Sequence, residues 1–350
     1  MDRNDCHEVR QARQNGCSHE RIALRSPSFL SWRIRDLNWR TVAATASFLL
    51  SFILASVTAG WSSPSETAKT AFEQKDYATA LRIWRPLADG GDVDAQLGVA
   101  VIYADGLGVS RDYVLAARWF RAAALKGSAR AQFNLATMHF HGQGVPQSYA
   151  EAVRWFRRAA DQGHAGAQYN LGNLYAEGRG IARDSGAAMQ LYRLAAGQEY
   201  SAAQAALATG YIKGEGVAQD DAEAARWAIR AAERGHVVAQ YNLGILFASG
   251  RGVAQDWVQA FKWYRQAAEQ GYALAQSSLA ALYVEGNGAP RDVVQALMWL
   301  NLAASRGDAR AASTRIDLIK TMTAAQIAEA QKLSLEWKPP VGRWDSSRTK

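Results

Sequence analysis

Glycine pairs are the residues of this chain whose type and spacing most suggest chemistry. The stretch YNLGNLYAEGRGIARD, residues 169–184, contains a Gly-x-Gly pair of the kind that lets a backbone approach a phosphate group. A phosphate loop is needed once or twice in a chain, whereas this pair recurs six times at intervals of 36 residues. The glycines therefore indicate a structural repeat. The pairs are Gly106 and Gly108, Gly142 and Gly144, Gly178 and Gly180, Gly214 and Gly216, Gly250 and Gly252, and Gly286 and Gly288.

The titratable residues form no recognisable catalytic or metal-binding pattern. Four histidines follow residue 60, and no two of them are three or four residues apart, the spacing that places ligands on one helix face. Both cysteines, Cys6 and Cys17, lie near the N-terminus, so the rest of the chain has no thiol for a disulfide, a zinc site or a nucleophile. We predict a non-enzymatic protein with no catalytic residues, no metal and no cofactor.

The positive charge of the chain is concentrated at its N-terminus. The net charge is +8, and residues 1–60 carry eight arginines against five acidic residues. In the rest of the chain arginines alternate with aspartates and glutamates, and no basic run of five appears. We therefore predict that the chain does not bind nucleic acid.

Residues 41–59 have the composition of an export signal. They are free of charge, follow Arg33, Arg35 and Arg40, and precede the polar stretch WSSPSETAK. Cleavage near Ala59 would make the protein periplasmic or secreted. The long region before the apolar segment indicates either an uncleaved inner-membrane anchor, with the remaining chain outside the cytoplasm, or a start codon placed too far upstream.

Each 36-residue unit contains the pattern of two helices. The first, as in AGAQYNLGNLYAEG, has apolar residues three and four apart and ends at glycine. The second begins after an aspartate such as Asp112 or Asp184 and carries a paired alanine such as Ala123 and Ala124. Neither helix can bury its apolar stripe alone, so the units must stack. We predict an all-α fold, a right-handed α-solenoid of stacked helix-turn-helix repeats that follows the N-terminal signal or anchor segment.

The run A-x-A-Q-x-N-L-G-x-x-Y-x-x-G-x-G-V-x-x-D-x-x-x-A-x-x-W-x-x-x-A-A-x-x-G resembles the Sel1-like repeat, a relative of the tetratricopeptide repeat. The resemblance covers about residues 93 to 307. The expected organisation is a disordered basic region at 1–40, a signal or anchor at 41–60, a tetratricopeptide-like hairpin at 61–92, six repeats at 93–308, capping helices at 309–337 and a disordered tail at 338–350.

The resemblance implies a concave face, lined by the first helices, that binds an extended segment of a partner protein. The inward positions would be those just after the repeated glutamine and one turn further along. The open alternative is that the asparagines at 134, 170 and 242 only bond neighbouring helices. The predicted groove residues are Phe133, Asn134, Tyr169, Asn170, Asn173, Tyr241 and Asn242, with Lys213 near the edge.

Together these observations predict an interaction scaffold or regulator of the bacterial cell envelope, whose partner is another envelope or signalling protein. An inner-membrane tether through residues 41–60 is part of the anchored alternative. A different class of function is also left open, an envelope hydrolase acting on cell-wall material or β-lactam-like substrates. Such an enzyme would need clustered titratable groups in the folded groove.

Overall fold

The computed structural model describes residues 63–338, and all regular structure in this range is helical. The predictions for the signal or anchor segment and for the tail beyond residue 338 lie outside the described residues. Residues 62–350 separate from residues 1–61 as a compact unit. Its helices are α1 (Pro64–Glu73), α2 (Tyr77–Asp89), α3 (Val93–Asp105), α4 (Tyr113–Leu125), α5 (Ala129–His141), α6 (Tyr149–Asp161), α7 (Ala165–Glu177), α8 (Ser185–Gly197), α9 (Ser201–Lys213), α10 (Asp221–Glu233), α11 (Val237–Ser249), α12 (Trp257–Glu269), α13 (Ala273–Glu285), α14 (Val293–Ser305), α15 (Ala309–Ile319) and α16 (Ala324–Glu336).

The helix boundaries follow from capping residues. The carboxylate of Asp112 accepts a 2.9 Å hydrogen bond from the backbone N–H of Leu115, and so satisfies a donor in the first turn of α4. At the other boundary, α3 ends at Gly106 with φ 69°, a left-handed conformation that glycine adopts without a Cβ clash. Each repeat therefore contains two helices of 13 residues, as the sequence pattern predicts.

In five of the six pairs the second glycine allows a close approach between repeats. A Cβ atom on Gly144 would lie 2.1 Å from the carbonyl oxygen of Tyr113, at the start of α4 in the preceding repeat. Gly180 would meet the backbone of Tyr149 in the same way. The Gly-x-Gly pairs are thus explained by helix termination and by loop packing against the neighbouring repeat.

The helices pack in chain order, so that each first helix lies against its own second helix and against the second helix of the preceding repeat. The paired alanines are buried at these contacts; Ala123 is fully buried and Ala124 is 1% exposed. Small side chains let the helix backbones approach closely, and the buried Trp119 packs in the same core. The predicted all-α solenoid is confirmed.

The repeated glutamine ties each repeat to the one before it. Gln132 donates a 3.1 Å hydrogen bond to the carbonyl of Ala124 at the end of α4, and Gln168 bonds Ala160 at 3.2 Å in the next repeat. The side-chain oxygen of Gln132 also accepts a 2.7 Å bond from Gln162. These buried amides give helix-terminal carbonyls, which already accept a backbone N–H, a second hydrogen-bond donor.

Two further elements border the repeats. The turn between α1 and α2 places Lys75 at φ 63° and leaves Asp76 to cap α2 through the N–H of Thr79. At the other border, Thr323 and Gln326 form a capping box at the start of α16.

Candidate partner-binding clefts

Three open clefts lie in the same register of successive repeats, each lined by residues from consecutive first helices. The first cleft, with α3 and α5 among its walls, has a volume of about 350 Å³. The second, with α5 and α7, has about 140 Å³, and the third, with α7 and α9, about 190 Å³. We call these three clefts the cleft row. The first helices contribute Val101, Ala104, Asn134 and Thr137 to the first cleft, Thr137, Phe140, Asn170 and Asn173 to the second, and Ala176, Ala206 and Thr209 to the third.

Asn134 and Asn170 occupy equivalent positions in the first two clefts. Both side chains are half-buried, and neither forms a hydrogen bond with another residue between 63 and 338. Asn242 lies in the same register in α11, is half-buried, and likewise makes no bond within that range. An asparagine amide offers two donors and one acceptor, so these side chains can pair with a peptide backbone.

Asn173 differs from the other three predicted asparagines. Its side-chain oxygen accepts a 2.7 Å hydrogen bond from the hydroxyl of Tyr192 in α8. Burial raises the pKa of Tyr192 further above neutral pH, so the phenol that donates this bond remains protonated. Asn173 therefore lines the second cleft while it also fixes the position of a core tyrosine.

The predicted aromatic residues are engaged in internal contacts. Phe133 stacks on the imidazole of His164 with ring centroids 4.6 Å apart. In three repeats such an aromatic packs against a ring on its own second helix and a ring that precedes the next first helix. The triads are Phe133, Phe156 and His164, then Tyr169, Tyr192 and Tyr200, and then Tyr241, Tyr264 and Tyr272.

Lys213 ends α9, and its ammonium nitrogen lies 3.9 Å from the carboxylate of Glu215, which lines the third cleft. Charged residues of both signs also border the second cleft, where Arg179 and Glu177 form an ion pair at 3.0 Å. Paired charges therefore flank the second and third clefts. No cluster of His, Cys, Asp or Glu suited to a metal ion occurs among the residues that the structure describes.

Sequence reasoning missed Thr137, which contributes to both the first and the second cleft. Its hydroxyl donates a 3.0 Å bond to the carbonyl of Phe133 and can still accept one. The signal in the sequence was its register, since Thr137 lies 36 residues before Asn173 and 72 before Thr209.

Two of the four histidines that follow residue 60 are helix caps. Nδ1 of His164 accepts a 3.2 Å hydrogen bond from the N–H of Ala167, and Nδ1 of His236 accepts a 3.3 Å bond from Ala239. Burial lowers the pKa of both imidazoles and so favours the neutral form, which can accept this bond.

The comparisons with known proteins agree with this architecture. The Sel1 repeat model matches residues 93–128, 129–164, 165–200, 201–236, 237–272 and 273–308, and the chain belongs to the Sel1 repeat family. Proteins of this family are generally protein-interaction scaffolds, and they are typically non-catalytic. The predicted resemblance is confirmed. The comparison with curated proteins finds no match.

Two solved structures share the fold at 31% sequence identity. One is a protective antigen of uropathogenic Escherichia coli with an SLR fold, at a TM-score of 0.55, covering 77% of this chain and 67% of that one. The other is a Sel1 repeat protein from Oxalobacter formigenes, at a TM-score of 0.64, covering 69% of this chain and 97% of that one. Within residues 63–338, no helix is both long enough and apolar enough to cross a bilayer.

Proposed function

We propose that this chain is a non-enzymatic scaffold or regulator of the bacterial cell envelope that binds an extended segment of a partner protein along the cleft row. The observation that carries the proposal is the recurrence of Asn134 and Asn170, two half-buried amides that no other described residue bonds, in consecutive clefts. An extended peptide presents a carbonyl and an N–H in every residue and matches such a series of amides.

The protein family supports the general class of function, because its members are generally interaction scaffolds. The cell envelope is inferred from the sequence of residues 41–59 alone. In this proposal the repeats act in the periplasm or outside the cell, either after cleavage near Ala59 or tethered to the inner membrane through residues 41–60. The partner is an envelope or signalling protein.

The proposal is tested with residues 62–350, the compact unit that contains all the described core clusters. A photo-crosslinking amino acid replaces Asn170 in the second cleft or, in a matched protein, the exposed Gln190 on α8. After illumination in envelope extract, we expect a discrete protein adduct from position 170 and none from position 190.

The second arm uses affinity capture with Asn134→Ala and Asn170→Ala combined, which removes the amides that line the first and second clefts. We expect the crosslinked protein to be lost from this variant and kept by a control with Asn287→Ala and Asn301→Ala, whose side chains lie outside the lining of the three clefts. Equal capture by both variants would contradict binding along the cleft row. Circular dichroism of each variant confirms that the helices remain.

A further inference from the structure

The second helices carry most of the positive charge in the first half of the solenoid. Helices α2, α4, α6 and α8 contain eight arginines and three acidic residues. The first helices α3, α5, α7 and α9 contain two basic and three acidic residues. Charge is therefore segregated to the side of the stack that the second helices form, where it creates a positive surface potential.

The arginines repeat in two columns along this side. Each of α2, α4 and α6 has two arginines three residues apart, which places them on one face of the helix, and α8 has one in the second column. All are exposed. We call this surface the arginine face, and it consists of Arg82, Arg118 and Arg154 in one column and Arg85, Arg121, Arg157 and Arg193 in the other.

Most of these guanidinium groups have no carboxylate partner. Arg85 pairs with Asp89 at 3.5 Å, and Arg154 pairs with Glu151 at 2.7 Å. The other five form no ion pair with any residue from 63 to 338. Helix α4 contains no acidic residue, so no carboxylate within the helix neutralises the positive charges of Arg118 and Arg121.

Tyrosines of the following repeats hold three of the arginines in place. Arg85 donates a 3.4 Å hydrogen bond to the hydroxyl of Tyr103. The hydroxyl of Tyr175 accepts a 2.7 Å bond from Arg157, and that of Tyr211 accepts a 3.0 Å bond from Arg193. A phenol is neutral at physiological pH, so these bonds orient the guanidinium without removing its charge. Part of the arginine face is therefore ordered before it meets a ligand.

Exposed aliphatic side chains lie among the arginines. Val114 is 69% exposed and lies four residues before Arg118 in α4. Leu125 is 65% exposed and lies four residues after Arg121, so both aliphatic side chains share a helix face with the arginines. Leu194, beside an arginine of α8, is 57% exposed. Aliphatic groups gain nothing beside a nucleic-acid backbone in water, whereas the boundary between lipid headgroups and acyl chains accommodates them.

We propose that the arginine face binds the surface of a membrane that contains anionic phospholipids. Guanidinium groups would contact lipid phosphates in bidentate geometry, while Val114 and Leu125 enter the boundary layer. This surface uses the second helices and does not depend on the cleft row.

The test measures co-sedimentation of residues 62–350, which lack the apolar segment, with phosphatidylcholine vesicles made with or without phosphatidylglycerol. We expect binding only to the anionic vesicles and a fall in binding as salt is added. Arg118→Glu with Arg121→Glu should weaken binding at least about tenfold, since each arginine near an anionic surface contributes about fivefold. A charge-matched control, Arg310→Glu with Lys332→Glu, lies outside the arginine face and should change binding less than about twofold.

The aliphatic residues distinguish a membrane from an acidic protein. Val114→Ser with Leu125→Ser should also weaken vesicle binding, by several-fold, because both apolar side chains are lost. The proposal is overturned if the anionic vesicles fail to bind the protein, or if the two charge reversals have equal effects. It is equally overturned if polyglutamate binds as tightly as the vesicles and Val114→Ser with Leu125→Ser changes nothing, which would assign the surface to an acidic protein segment.

Discussion

The hydroxyl of Tyr192 donates a 2.7 Å hydrogen bond to the side-chain oxygen of Asn173, 19 residues earlier in the chain. The bond joins the second helix of a repeat to its first helix, and it is part-buried. The bond also distinguishes Asn173 from Asn170, which lies one turn earlier on α7. The side chain of Asn170 forms no hydrogen bond with another described residue. Two asparagines of one cleft therefore have different roles.

Replacement of Tyr192 by phenylalanine should lower the free energy of unfolding by about 1 kcal/mol, the contribution of one part-buried neutral hydrogen bond. Asn170→Ala should change it by less than about 0.5 kcal/mol, because no internal bond is lost. Urea denaturation of residues 62–350 measures both. A larger effect of Asn170→Ala than of Tyr192→Phe would contradict the assigned roles.

Gly144→Ala should destabilise the protein far more than Gly163→Ala. Both glycines have positive φ, 68° and 84°, so each substitution carries a backbone cost of about 1–2 kcal/mol. A Cβ atom at Gly163 meets nothing within 4 Å, whereas one at Gly144 lies 2.1 Å from the carbonyl oxygen of Tyr113. We expect an additional loss of about 2 kcal/mol or more at Gly144 in urea denaturation. Equal losses would show that the loop can move away.

The histidine caps predict a specific pH dependence. Burial lowers the pKa of His164 and His236 below the ordinary value of 6.5, so the unfolded chain binds protons more readily than the folded one. Their contribution to stability is fully present above pH 6.5 and is lost as the pH falls through the folded-state pKa values. The midpoint of urea denaturation at pH 7.5 and at about pH 5 measures this loss.

The matched variant carries His164→Asn and His236→Asn. Asparagine also caps helices but does not titrate, so the variant should lose less stability than the wild type over the same pH range. Titration of the carboxylates affects both proteins and cancels in the comparison. Identical pH profiles would exclude the caps as a source of the dependence.

The repeated buried glutamines predict unequal losses of stability when equivalent positions are substituted. Gln240 donates to the carbonyl of Ala232 at 3.1 Å and accepts a 2.7 Å bond from the buried Gln270. Gln276 donates to Ala268 at 3.1 Å, and its own side-chain oxygen has no partner among the described residues. Gln240→Leu should therefore lower the free energy of unfolding by about 1–2 kcal/mol more than Gln276→Leu. The reason is that the amide of the buried Gln270 loses the side-chain oxygen to which it donates. Thermal or urea denaturation of the two variants decides this.

The repeat was predictable from the sequence because glycine, aspartate and alanine act locally. Glycine ends a helix through its own φ, aspartate caps one through its own carboxylate, and both effects recur every 36 residues. The six repeats and the helix pairs therefore followed from spacing, and the resemblance of the repeated motif to the Sel1-like repeat indicated the family. The capping roles of His164 and His236 could not be predicted in this way. A histidine cap requires an unprotonated ring nitrogen that the side-chain rotamer directs toward the backbone N–H.

The candidate site could be predicted only in part. The sequence placed Asn134, Asn170 and Asn242 in one register, and the structure shows that none of the three side chains forms a hydrogen bond with another residue from 63 to 338. It did not distinguish Asn173, whose partner lies on another helix, and it missed Thr137, which borders two clefts. Sequence period determines which residues share an environment. Which polar atoms are then satisfied depends on distances between helices, and only the packed tertiary structure decides those.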